Sequence, residues 1–415
     1  MRDQFLTIMQ FLRSNARWLA GGLLLTFCSS VGQTFFISLF AAQIRSDFHL
    51  SHGSFGALYM AATLGSAVSL IYLGRILDVL PVALLAKWWI ALLAAAAILM
   101  ASAETATALL LSLYLLRLFG QGMLSHTAMV AMGRWFVRER GRAISITTAG
   151  HQLGEAVLPI LVVSTIAMID WRLAWLCAAA VLLLMALPVS HICLSRARQP
   201  SAENDGLVES GKQWTRQEVL KDLPFWVVCT GVLAPSFIGT SVFFHQVHLA
   251  EIKQWPSMVI ATSFTVMSIT TVVVGLVTGV LIDRYQANTV LPFFLLPLSL
   301  GCALLSVGDH AGYMMLFMML LGCSYGVSSA VFGAIWPENY GTRHLGSIRS
   351  VVTAAMVFAS ALGPGLTGWL IDFGVGFELQ LVLMGAYCLL TMLFLFPVSR
   401  TLRTRILKQA PSAIV

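Results

Sequence analysis

Four ionisable residues that could do chemistry stand inside apolar runs, where charge is costly. His151 and Glu155 lie in "TTAGHQLGEAVLPIL", Thr147 to Leu161. Their i, i+4 spacing puts both on one helix face, one turn apart. Arg117 opens "RLFGQG" in another apolar run, and His126 follows it. A carboxylate with an imidazole beside it is suited to taking up and releasing a proton. A guanidinium is suited to holding an anion. A charged side chain at mid-bilayer costs at least about 2.5–3.5 kcal/mol, so such groups are expected to face a cavity and a partner. The same residues do not read as an enzyme. HExxH is absent, and His151-x-x-x-Glu155 has the wrong order and spacing for a zinc protease. No GxxxxGK[ST] phosphate loop appears. The seven cysteines have neither metal-ligand nor CxxC spacing, so no metal and no cofactor is expected.

The elements that position these residues are set by hydropathy. The chain has 415 residues, 58% hydrophobic and 10% charged, with mean hydropathy +0.84. Soluble domains are usually about a quarter charged. The apolar residues fall in blocks of about 20 to 25, the length a helix needs to cross a bilayer. Twelve such blocks are predicted: Trp18–Ile44, Gly53–Leu77, Pro81–Ser102, Thr105–Ala131, Ala143–Ile169, Leu173–Leu194, Pro224–Leu249, Ser257–Ile282, Val290–Val307, Gly312–Trp336, Leu345–Ile371 and Phe377–Val398. The fold class is therefore an all-α membrane protein of twelve transmembrane helices.

The formal net charge of +7 invites a nucleic-acid reading, but its distribution argues against one. With the N-terminus cytoplasmic, about 21 of the 25 Lys and Arg fall on the cytoplasmic side. Arg134, Arg138, Arg140 and Arg142 crowd one short loop, and Arg400, Arg403, Arg405 and Lys408 form the tail. This is the positive-inside pattern, so both termini are expected in the cytoplasm. "MRDQFLTIMQFLRSNAR" reads as an amphipathic surface helix, not a cleaved signal. The one long polar stretch, Ser195 to Asp222, reads as a linker. The expected organisation is an N-terminal segment (1–17), a six-helix bundle (18–194), the linker (195–222), a second six-helix bundle (223–399) and a tail (400–415).

The two bundles look duplicated. "GRILD" after the second span and "GVLID" after the eighth place Gly74 and Gly279, and Asp78 and Asp283, 205 positions apart. Pro159 and Pro364 are also 205 apart. Gly-x-x-x-Asp after spans two and eight resembles the repeated loop motif of the major facilitator superfamily. "RLFGQG" resembles its fourth-helix motif. "WFVRERGRAISITTAGHQLG", Trp135 to Gly154, is similar to the monocarboxylate-porter signature, carried by Phe136, Arg138, Arg140, Ala143, Ala149, Gly150 and Gly154. Departures accompany the match. The first loop continues as "DVLPVALLAK" without early basic residues. Spans eight and eleven lack the deep basic residue expected of oxalate and monocarboxylate carriers. The fifth span offers "GEAVLP" in place of the Gly-Pro-x-x-Gly-Gly of drug/proton antiporters.

The resemblance implies two pseudo-symmetric six-helix bundles that rock around a midplane site. It implies a secondary transporter, most simply a proton-coupled symporter of a small, monocarboxylate-like organic anion. Its partners would be that solute, the proton and the lipid bilayer, in a bacterial inner membrane and as a monomeric transport unit. A proton-driven drug or metabolite exporter is the alternative within the fold, and a non-transporting membrane sensor the alternative outside it. Arg117 and Glu155 each sit about 12 residues into their spans, near 18 Å from a membrane face. Folding spans four and five back about Phe136 brings Arg117 level with Glu155, and His126 to within about a turn of His151. The expectation is that Arg117 binds the anion and pairs with Glu155, which carries the proton with His151. Gln33, Tyr59, Tyr325 and His245 are further pathway candidates. Gly74, Asp78, Arg142, Gly279 and Asp283 are expected to form gating contacts at the loop motifs.

Overall fold

The computed structural model describes residues 2–136, 139–196, 213–341 and 343–409, with no strand among them. Eleven helices are long and apolar enough to cross a membrane, and a bent pair makes a twelfth if counted as one span. In chain order they are α1 (Met9–Gly32 with Thr34–Asp47), α2 (His52–Leu77), α3 (Val82–Ser102), α4 (Ala106–Trp135), α5 (Gly141–Ile166) and α6 (Trp171–Leu194). There follow α7 (Leu223–Lys253), α8 (Ser257–Ile282), α9 (Ala287–Val307), α10 (Gly312–Tyr340), α11 (Leu345–Asp372) and α12 (Phe377–Ile406). Helix forms because every backbone N–H and C=O in lipid must find a partner within its own segment. Its outer faces are correspondingly apolar. Ile269, Val273, Leu276 and Val280 of α8 are all more than half exposed, a stripe suited to acyl chains.

The chain forms two compact units. One comprises Met1–Leu50 and Leu58–Asn204, the other Ser51–Ala57 and Asp205–Val415. Several helix partnerships recur in both. α1 packs on α5 as α7 packs on α11, α3 on α6 as α9 on α12, and α3 on α4 as α9 on α10. Shared partnerships at equivalent positions are what duplication of a six-helix body produces.

Three local features depart from uniform spans. The N-terminal segment is continuous helix with α1, from Arg2 to Ser29. Next, α1 is not one straight helix. Gln33 is extended (φ −84°, ψ 156°), and the helix bends by 44° there. Gly32 lies so close to α4 that a Cβ on it would stand 2.8 Å from the Gly120 Cα and would run into the Leu116 carbonyl. Two glycines let the backbones touch. Third, α4 carries a π-helical turn over Arg117–Leu124, a one-residue insertion often seen at functional positions.

The first unit's core is aromatic near α6. Trp175 is fully buried between Phe36 and Phe40, with ring centroids 5.3 and 4.9 Å away. Arg172 donates to the carbonyls of Ala101 and Ala103 at 3.0 and 2.7 Å. A cation there satisfies acceptors that the end of α3 leaves open. In the second unit the chain entering α7 is fixed by Asp222. Its carboxylate accepts from both Arg405 guanidinium nitrogens at 2.8 and 2.9 Å and from the Tyr340 hydroxyl at 2.9 Å.

Candidate functional site

Arg117 starts the π-helical turn of α4, and its side chain is only 1% exposed. Nη1 donates to the Gly32 carbonyl at 3.3 Å and to Thr34 Oγ1 at 3.4 Å. The guanidinium carbon stands 5.2 Å from the centre of the Tyr59 ring, within cation–π range. Tyr59, itself fully buried, donates its hydroxyl to Thr34 Oγ1 at 2.7 Å. The break in α1 therefore serves α4. Where the helix opens at Gly32–Gln33, a carbonyl and a hydroxyl become free to accept from the arginine. Arg117 Nε is buried without a hydrogen-bond partner. Among the described residues no carboxylate lies within ion-pair distance of Arg117, whose acceptors are all neutral.

Glu155 lies on α5, buried at 6% exposure. Its Oε1 is 3.5 Å from His151 Nε2, one turn earlier. The His151 side chain is 33% exposed, that of Glu155 8%. The pair thus grades from an accessible imidazole to a buried carboxyl. Thr147, another turn back, is fully buried and its carbonyl accepts from Thr26 Oγ1 at 2.5 Å.

The expected Arg117–Glu155 pair is not formed. Glu155 takes His151, and Arg117 takes Gly32, Thr34 and Tyr59. The physical reason is α1, which packs backbone-close on both partners. It meets α4 at Gly32 and Gly120, and α5 at Gly150 and Gly154, where added methyls would collide with Leu23, Thr26 and Ser30. A matching count of residues into two spans does not bring two side chains together when a third helix offers nearer acceptors.

The remaining candidates divide between the units. Gln33 is half-buried at the α1 break, its N–H donating to Ser30 at 3.0 Å. His126 is half-buried, against Gly74 at the end of α2. Tyr325 and His245 belong to the second unit. Tyr325 donates its hydroxyl to the Pro235 carbonyl at 3.3 Å. His245 is buried, with Nε2 3.2 Å from the Pro364 carbonyl. Around the loop motifs, Arg134 donates to the Leu77 carbonyl at 2.6 Å. Arg142 is exposed, and a Cβ on Gly279 would meet open space. The side chains of Asp78 and Asp283 lie outside the described residues, as do 197–212 of the expected linker. Gly32 and Thr34 escaped the sequence reading. Their signal was "SVGQT", a small polar interruption in an apolar run. Among the described residues no group of three His, Cys, Asp or Glu is placed to hold a metal.

Comparison with known proteins agrees with this architecture. The family model of the Major Facilitator Superfamily matches residues 22–347 and 236–413. An uncharacterized protein of Mycobacterium tuberculosis is 26% identical over 282 residues, 66% of this chain and 64% of that protein. The oxalate:formate antiporter of Oxalobacter formigenes is 23% identical over 271 residues, 63% of this chain and 64% of that protein. The chain thus spans 64% of the length of these curated relatives. Among solved structures, a bacterial homolog of the human lysosomal transporter Spinster, inward-facing and unoccupied, superposes with TM-score 0.71 at 15% identity, over 96% of this chain and 99% of that one. The nucleoside transporter NupG superposes with TM-score 0.63 at 14% identity, over 95% of this chain and 100% of that one. The chain is a multi-pass integral membrane protein with a transporter's fold, and it belongs to the Major Facilitator Superfamily.

Proposed function

We propose that the protein is a proton-coupled carrier of a small organic anion, with Arg117 as the anion's cation and His151–Glu155 as the proton site. The observation that carries the reading is the state of Arg117. It is a fully buried guanidinium whose acceptors are neutral oxygens and a π face, and one of its N–H groups has no acceptor. A buried cation without a counter-charge is unfavourable unless an anion completes it. Guanidinium geometry matches a carboxylate in particular. The similarity to an oxalate:formate antiporter supports the same class of solute.

Glu155 suits a proton carrier because it is buried beside a partly exposed imidazole whose Nε2 faces the carboxyl. His151 positions the carboxyl, which holds the proton while the anion is bound. Keeping Arg117 and Glu155 on different partners leaves each able to change its charge balance separately. The loop motifs of Asp78 and Asp283 are read as gates, not as solute contacts.

The test is uptake into proteoliposomes of labelled formate, oxalate and lactate, with and without an acid-outside pH gradient. Accumulation driven by the gradient supports the reading. Carboxylate movement that ignores the gradient removes the proton site, and absence of any carboxylate movement removes the anion site.

A second reading, export of a drug-like metabolite, is favoured by one observation. No Lys or Arg occurs in Ser257–Ile282, nor in α11 beyond Arg349, so the second unit has no deep cation there. Dye efflux without carboxylate uptake would decide for it.

A further inference from the structure

The first turn of α2 does not group with the rest of its helix. Ser51–Ala57 belongs to the second compact unit, while the chain on either side, to Leu50 and from Leu58, belongs to the first. The segment is held in the second unit by specific contacts. Asp372, the last residue of α11, accepts from Ser51 Oγ at 2.6 Å and from the Gly53 N–H at 2.8 Å. It thereby caps the opening turn of α2 from another helix, satisfying N–H groups that a helix start leaves open. Phe55 is buried and stacked on Phe244 at 4.9 Å. Gly56 lies so close to α11 that a Cβ would be 3.1 Å from the Gly365 Cα.

Between these contacts sits His52. Its ring centre is 3.9 Å from that of His248 and 5.9 Å from that of His245, both on α7. His245 in turn contacts the Pro364 carbonyl and the Phe377 ring. The acid beside His52 is Asp372. The other charged groups at this end of the unit largely answer one another. Lys253 reaches Asp309 at 3.0 Å and Glu378 at 3.6 Å, and Glu251 is exposed.

From this juxtaposition we infer that His52 and His248 form a second proton-binding locus, separate from Glu155, and that its double protonation releases the segment 51–57 from the second unit. The two rings lie against each other tilted by 56°. A proton on His52 is balanced by Asp372 beside it. A second proton, on His248, puts two like charges about 4 Å apart with a single carboxylate on the His52 side, and in a partly buried setting that repulsion is strong. Imidazole is the side chain that changes charge between about pH 5 and pH 8. The ligand of this locus is the proton itself. Among the described residues no metal-holding group of three exists.

The experiment is hydrogen–deuterium exchange of the full chain in lipid nanodiscs, read as protection of residues 51–57 after correction for intrinsic exchange rates. Protection of this segment is expected to fall about tenfold or more between about pH 8 and pH 5. His52→Gln and His248→Gln should each abolish the fall while keeping protection at the higher pH. His52 and His248 are both half-buried, and they sit on different helices, so either variant tests the locus if the other folds poorly. Asp372→Asn should lower protection at both pH values, because the cap is lost. Glu155→Gln should leave the fall in place, which separates this locus from the proposed transport proton. Protection that is flat with pH in the unaltered protein overturns the inference. So does a fall that survives in both histidine variants, or one that vanishes in Glu155→Gln.

Discussion

His151 Nε2 approaches Glu155 Oε1 to 3.5 Å within a single helix. The acid is thereby committed to its own helix and not to the arginine of α4. Replacing it by glutamine keeps size and hydrogen bonding but fixes the group in its uncharged form. Glu155→Gln is expected to lose anion accumulation driven by an acid-outside gradient while retaining exchange of internal for external anion. Uptake and counterflow assays on the same proteoliposomes read the two separately. Unchanged gradient-driven accumulation would count decisively against the proton role.

His151 shapes the rate of that step more than its existence. His151→Gln is expected to slow proton-driven uptake by about 10²-fold, the low end of what a positioned proton-transfer group contributes. If uptake at saturating anion keeps its rate, His151 is a packing residue.

Arg117→Lys keeps the charge but replaces a planar fork by a point charge. Apparent anion affinity is expected to drop by about tenfold, equivalent to about 1.4 kcal/mol, with maximal velocity less affected. Arg117→Met should abolish anion binding altogether. Binding that is equal in all three proteins would make Arg117 a structural staple for the α1 break.

The Gly32–Gly120 crossing has no room for a side chain. In Gly32→Ala the new methyl would stand 2.8 Å from the Gly120 Cα, and backbone cannot rotate away as a flexible side chain can. A destabilisation of about 1–3 kcal/mol is expected, seen as a lower thermal midpoint in detergent. An unchanged midpoint would mean that the two helices separate at little cost.

In the second unit, Asp222 accepts the fork of Arg405 and the Tyr340 hydroxyl together. Asp222→Asn removes the charge from a bidentate pair, at an expected cost of about 1.5–3 kcal/mol. Tyr340→Phe removes one hydrogen bond and should cost about 0.5–1.5 kcal/mol. Thermal unfolding of the two variants checks the order, and a larger loss for Tyr340→Phe would contradict it.

Much of this architecture was legible in the sequence because membrane helices announce themselves by length. Each apolar block that can cross the bilayer has a helix in the structure, and several helix partnerships of the first unit recur in the second. Direction around the helix axis was not legible. Arg117 and Glu155 count to similar positions along their spans, but the side of the helix each faces depends on which neighbours pack there. The break of α1 was hidden for a related reason. Ser29–Thr34 interrupts hydropathy only slightly, whereas the bend depends on Gly32 meeting Gly120 from a helix far along the chain. Nor does a sequence reveal that Ser51–Ala57 sides with the opposite half of the molecule, because that allegiance rests on Asp372 and Phe244.

The oxygen that Arg117 holds at Gly32 belongs to the main chain. Such an acceptor is encoded by no particular codon, so no point mutation can delete it and no compensating change can track it. Variation at Arg117 among homologues would therefore leave no matching trace at position 32. A search for co-varying pairs would pass over the contact, and on the acceptor side it could be lost only through a change in the curvature of the helix.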